Sequence, residues 1–278
     1  MSFLKKLFYE SCCEELRILK PGNHSIQSKI IGMDHKKFER VAKITSEILV
    51  KDELSLGESI YESSSKCLQE QGENYNLGII LLCAPILKIP RNKLKNFKSE
   101  LQNILDNISE KDGKLIFKAI MNLKPAGIKK YKGKGNISIN NDKLKFNEIM
   151  KIGAGWDRIS KCYVDCYSEI LEMGLPYFLS LRRKISYKRA ITMLYINYLS
   201  LEVDSHILRK FGVEKANKIM KKSRLIQKSI YFGRNNDLKL IKFDKYLKDF
   251  HYNPGTCADL TVTTLLINKI RDIFKFPI

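Results

Sequence analysis

Leu77-Gly78-Ile79-Ile80-Leu81-Leu82-Cys83-Ala84-Pro85-Ile86-Leu87 decides the fold. The stretch carries no charge, and a helix that is apolar on every side has no face to offer water, so it belongs in the middle of a bundle. Pro85, followed by Lys88, keeps it well short of the roughly 20 apolar residues that a membrane-spanning helix needs.

Working outward, helical periodicity dominates and strand-like alternation is almost absent. Phe3, Leu4, Leu7, Phe8, Leu16 and Leu19 fall near one face of a first helix. Asp34 can cap a second that carries Phe38, Val41, Ala42, Ile48 and Leu49. Ser55 followed by Glu58 forms a capping-box pattern that opens a third, through about Gln69. Further helices are expected over 91–108, 113–122, 143–173, 186–202, 213–230, 242–249 and 256–275. The segment 124–141, with Pro125, Gly127, Gly133 and Gly135, reads as a long mobile loop of the kind that covers active sites. The expectation is an all-α, single-domain multi-helix bundle over residues 1–278 with a buried central helix.

The 278 residues carry a formal net charge of +20, which raises the possibility of a nucleic-acid binder. Arginine accounts for only 11 of the 50 basic residues, and the lysines spread over the whole chain among Ile and Asn. A phosphate-backbone groove would cluster Arg and Lys, so a basic nucleic-acid module is the weaker reading. A diffuse positive field suits polyanionic small molecules instead. The N-terminal MSFLKKLFYE lacks the apolar core of a secretion signal, which points to the cytoplasm. The seven cysteines are odd in number and contain no CxxC pair. Cys162 and Cys166 lie one helical turn apart without a second ligand pair, so free thiols are the expectation.

Four polar clusters interrupt the helices. Lys20-Pro21-Gly22-Asn23-His24 follows the first helix, ahead of Asp34. Asn74-Tyr75-Asn76-Leu77-Gly78 stands at the mouth of the buried helix, where amide donors, close backbone approach and a positive helix end suit a phosphate or a base. Asp204-Ser205-His206-Ile207-Leu208-Arg209-Lys210 places an acid ahead of a basic pair. Asn253-Pro254-Gly255-Thr256-Cys257-Ala258-Asp259-Leu260 opens the final helix, whose free first-turn amides can hold an anion. Taken singly, each has an ordinary structural reading as a helix stop or cap.

Their order resembles the triphosphoribosyl-dephospho-CoA synthase family. KPGN, an Asp before a helix, N-x-N-x-G before an apolar helix, D-S-x-I-x-R-K-x-G and NPGT-x-ADL succeed one another. Gly153 and Asp157-Arg158-Ile159 resemble the family's central helix. Where citrate-lyase-associated members read NTHKG, this chain reads NYNLG, closer to a divergent N-x-N-L-G branch.

The resemblance implies a helical enzyme that joins the 5-triphosphoribosyl group of ATP to the 2'-hydroxyl of dephospho-CoA, releasing adenine, with Mg2+ as the expected companion of ATP. Such an attack passes through a cationic sugar, which calls for carboxylates. Asp34, Asp204 and Asp259 are the candidate catalytic acids and the possible metal ligands. Lys20, Arg158, Arg209 and Lys210 are candidates to grip phosphates. Asn23, Asn74, Asn76 and Asn253 are candidates to orient ribose or base, with Gly22, Gly78, Asp157 and Gly255 completing the expected binding set. His24 and His206 read as capping or packing residues. Tyr75, Trp156 and Tyr163 offer ring faces to a purine, against the commoner role of interior aromatics. The rival within this fold is an enzyme acting on another nucleotide or a pterin-type precursor.

Overall fold

The computed structural model describes residues 3–125, 144–231 and 237–276. Among them are fourteen α-helices and no strand. The apolar stretch forms α4 (Leu77–Leu87), and ten of its residues are buried. It packs against α2 (His35–Leu49), α3 (Leu56–Gln71), α5 (Phe97–Asp106), α8 (Arg158–Asp165) and α14 (Gly255–Phe274). The expected buried central helix therefore exists, and α14 is a second one beside it.

In turn α14 touches α1 (Phe3–Leu16), α10 (Tyr187–Leu201) and α11 (Ser205–Phe211). Its threonines can lie in the core because their hydroxyls bond to carbonyls of the preceding turn: Thr261 to Cys257, Thr263 to Asp259 and Thr264 to Leu260, at 2.7 to 2.8 Å. One hydrophobic cluster runs from Leu4 to Phe276 and joins both central helices to the rest.

Pro85 sits inside α4, where its ring removes a helical N–H and leaves carbonyls of the preceding turn short of a donor. Two buried tyrosines supply what is missing. The Tyr163 hydroxyl donates to the Leu81 carbonyl at 2.7 Å, and Tyr167 donates to Leu82 at 2.8 Å. Tyr163 is thus a structural prop and not a purine platform, because its hydroxyl is committed and its ring is buried.

The expected caps are present. Asp34 accepts from the Lys36 amide at 2.9 Å, and Ser55 and Glu58 close the capping box of α3. Other expectations change. The 91–108 helix begins with a 3-10 stretch, Arg91–Asn96, before α5. Instead of one helix over 143–173 there are α7 (Phe146–Gly153), α8 and a π-helical stretch Glu169–Gly174 that runs into α9 (Leu175–Arg182). The Gly153-Ala154-Gly155 run and the Asp157 cap break the first join, and Cys166 and Tyr167 adopt positive φ at the second. The helix expected over 113–122 is α6 (Glu110–Leu123), capped by Ser109; those expected over 213–230 and 242–249 are α12 (Val213–Tyr231) and α13 (Asp237–Asp249). The loop expected over 124–141 lies outside the described residues apart from Lys124 and Pro125.

All seven cysteines are free thiols. Among the described residues no helix is long and apolar enough to cross a membrane, and no group of three His, Cys, Asp or Glu side chains could hold a metal ion.

Candidate active site

A cavity of about 610 Å³ opens where the polar clusters converge, within the size range of small-molecule sites. The C-terminal end of α1, the turn after it, the first turns of α4 and α14, the α7–α8 corner and α11 all contribute walls. Two helix N-termini on one cavity place partial positive charge there without any side chain.

At one end the Lys20 ammonium is 2% exposed. It is ion-paired with Glu15 and donates to Asn23 Oδ1 at 2.8 Å. The Asn23 amide then donates to Asn253 Oδ1 at 2.7 Å, which ties the KPGN turn to the start of α14. Gly22 makes that turn possible: it holds φ +81°, and a Cβ there would stand 2.6 Å from the Tyr252 carbonyl. Its amide donates to Asp244 at 2.8 Å, so Gly22 anchors the turn from outside the cavity lining.

Asp259, just beyond the first turn of α14, projects against α4. The fit depends on Gly78, since a Cβ at that position would lie 2.0 Å from Asp259 Oδ2. Among the described residues no donor reaches the Asp259 carboxyl. Burial pushes its pKa well up, and the neighbouring charges of Asp204 and Glu15 push in the same direction. A carboxyl with a raised pKa, no structural partner and a face on a cavity is a candidate acid or base.

At the α7–α8 corner, Asp157 accepts from the Ser160 amide and hydroxyl at 3.1 and 3.0 Å and pairs with Arg209 at 2.6 Å. Asn74 accepts from the Leu77 amide, and Asn76 donates to Thr45. Phe117, Ile120, Ile149, Met150 and Leu208 form an apolar wall with the half-exposed Trp156.

The profile of the family described as CitG, ATP:dephospho-CoA triphosphoribosyl transferase, matches residues 1–277. The chain belongs to this family. It is a transferase that joins the triphosphoribosyl group of ATP to dephospho-CoA. No protein of curated function matches it in sequence. A crystal structure from Archaeoglobus fulgidus, of a protein provisionally named a triphosphoribosyl-dephospho-CoA synthase, superposes with a TM-score of 0.63 at 20% identity. The match covers 84% of this chain and 97% of that one, and at such identity it speaks for the helical fold alone.

Of the residues expected at the transferase site, the cavity gathers Lys20, Asn23, Asn74, Asn76, Gly78, Asp157, Arg209, Asn253, Gly255 and Asp259. Five others stand elsewhere. Besides Gly22, Asp34 caps α2 with its side chain half exposed and outside the lining. Asp204 is 1% exposed, with one oxygen accepting from the Ile207 amide at 3.0 Å and the other from the Cys257 amide at 2.9 Å. It pins the start of α14 to α11 from behind. Arg158 is buried against Glu169 and Cys257, and Lys210 is exposed beside the Phe211 ring.

Sequence reasoning missed Glu15, because nothing in the spacing of α1 separates it from Glu10 and Glu14, which pair with Lys269 away from the cavity lining. His24 also lines the cavity, stacked 5.3 Å from Phe38. Burial and the nearby Lys20 charge lower its pKa to about 4, so it is neutral at ordinary pH.

Gly78→Ala tests the α4–α14 contact. The added methyl must displace the Asp259 carboxyl, and a misplacement on the order of 1 Å lowers turnover by about 10²-fold. Adenine release measured against the melting temperature separates this from unfolding, because overpacking alone costs about 1–3 kcal/mol. Turnover within a few-fold of the parent would mean that Asp259 has room to spare.

Proposed function

We propose that the reaction runs in this cavity with Asp259 as its acid–base group, and that Asp204 and Asp34 serve the scaffold. The observation that carries this reading is the Asp259 carboxyl itself, raised in pKa and free of structural hydrogen bonds among the described residues. Asp259 enters protonated. As the C1'–N9 bond of ATP breaks, its proton goes to the departing adenine, and the carboxylate left behind faces the cationic ribosyl carbon. The acceptor hydroxyl bonds to that carbon and its proton returns to Asp259, so the group ends as it began.

Asn23 and Asn253, locked to each other, orient hydroxyls or the base together with Asn74 and Asn76. Lys20, Arg209 and the N-termini of α4 and α14 supply positive charge for phosphates. The apolar wall of Phe117, Ile120 and Met150 offers a place for a purine ring. The three acids first considered as Mg2+ ligands do not fit a protein-built site. Asp204 spends both oxygens on backbone amides, Asp34 caps α2 outside the lining, and Asp259 stands alone. We assign the work to the chain as one unit in the cytoplasm, where unpaired thiols persist.

Chromatography of a reaction with ATP and dephospho-CoA tests the reading, the expected products being free adenine and a heavier nucleotide adduct. An alternative acceptor has one observation in its favour. Where NTHKG supplies His and Lys, this chain puts Asn76 and Leu77 on the cavity wall, which removes a cation. A panel of nucleotide and pterin-type acceptors run beside dephospho-CoA decides it. Faster adenine release with any of them than with dephospho-CoA would transfer the assignment to that compound.

A further inference from the structure

We propose that Glu15 is a positioning residue of the transferase, one that holds the Lys20 ammonium on the wall of the cavity with a donor left over for an anionic ligand. The inference rests on the assignment of this cavity as the ATP site and adds a residue that the sequence motifs do not contain.

The geometry has three parts. Lys20 and Glu15 are buried together at 2% and 6% exposure, and they form an ion pair on the cavity wall. An ammonium has three donors and no acceptor. Glu15 and Asn23 take two of them, which leaves the third for whatever occupies the cavity. Finally, Glu15 lies on α1 whereas Lys20 lies in the turn beyond it, so the pair also fixes the approach of the Asn23–Asn253 amide link to the start of α14.

The charged and titratable neighbours favour this arrangement. Burial lowers the Lys20 pKa, and the Glu15 charge and hydrogen bond work against that lowering; Lys20 in turn opposes the rise that burial imposes on Glu15. Lys248 on α13 opposes the Lys20 charge but is itself paired with Asp244. His24 is neutral, and Asp204 acts on Asp259 from behind. Glu15 is therefore the principal counter-charge that keeps Lys20 cationic in a place where an isolated ammonium would shed its proton.

The test is the pH dependence of KM for ATP in the adenine-release assay. On this proposal the Glu15 ion pair holds Lys20 charged in the parent enzyme, and KM changes less than about threefold between pH 7 and pH 9. In Glu15→Gln the folded-state pKa of Lys20 falls further, so the ammonium is lost as pH rises and KM climbs by at least about tenfold, the worth of one charged hydrogen bond. Adding Lys20→Arg to that variant restores a flat profile, because a guanidinium keeps its proton throughout. A merely structural Glu15 would lower kcat or the melting temperature without tilting KM, and that result overturns the proposal. Should Glu15→Gln fail to fold, the double variant Glu15→Met/Lys20→Met removes both charges together. A KM for ATP within twofold of the parent would then overturn it, and a pH-independent rise of about tenfold or more supports it. Absence of adenine release from the parent enzyme would instead defeat the underlying assignment of the reaction.

Discussion

Asp259→Asn lowers turnover by about 10²–10⁴-fold, the range in which a positioned acid–base group contributes, while leaving the fold intact. The separation is possible because Asp259 holds nothing together: among the described residues its carboxyl accepts no hydrogen bond, and burial with the Asp204 and Glu15 charges disfavours its ionised form. Asparagine fills nearly the same space beside Gly78 and is uncharged like the protonated acid it replaces, so the melting temperature stays level. The pH profile supplies a second readout. Asp259 works from its protonated form and its pKa lies well above the usual carboxylate range, so activity falls as pH rises through that value. Glutamate offers no rescue, since its longer chain meets the α4 backbone where Gly78 leaves no room. More than about a tenth of parental turnover in Asp259→Asn would place the acid–base group elsewhere.

The same carboxyl shows where sequence reasoning reaches and where it stops. The α4 helix was legible because its composition leaves only one environment open to it, and the caps at Asp34 and Ser55 were legible because capping is local chemistry. Converging clusters were legible as motifs, and Asn23, Asn76, Asp157 and Asp259 do meet on one cavity. What spacing does not reveal is the direction of a side chain once its cluster has arrived. Asp204 and Asp259 look alike as acids beside helix starts, yet one is consumed by two backbone amides and the other is left open. Long-range pairing was equally hidden. Tyr163 and Tyr167 carry the carbonyls released by Pro85 across more than eighty positions of sequence, and Glu15 differs from its neighbours on α1 only through where Lys20 folds back. The break of the 143–173 helix was half visible, in its glycines, but the two positive-φ residues that turn the chain at Cys166 have no composition that announces them.

Arg158→Met destabilises the protein by about 3–5 kcal/mol, because it strands Glu169 as an uncompensated buried carboxylate. Burial opposes the charge on Arg158, and Cys257, Glu169 and Asp204 together outweigh it, so the guanidinium holds its proton firmly. Its reach explains why the site depends on it without touching it. The Arg158 side chain binds Glu169 at the π-helical stretch and Cys257 on α14, while its backbone amide donates to Ser205 at the start of α11. Asp204 completes the frame by tying α11 to the Cys257 amide, two residues ahead of Asp259. Two consequences can be distinguished by measurement. In denaturant titrations the double variant Arg158→Met/Glu169→Met recovers most of the stability lost in the single one, since apolar side chains of similar volume tolerate burial that a lone charge does not. Turnover does not recover with it, because methionine restores packing but not the Arg158–Cys257 contact at the start of α14. Equal stability of the single and double variants would mean that Glu169 reaches water or another cation. Recovery of turnover together with stability would show that this frame only supports the fold and does not aim Asp259.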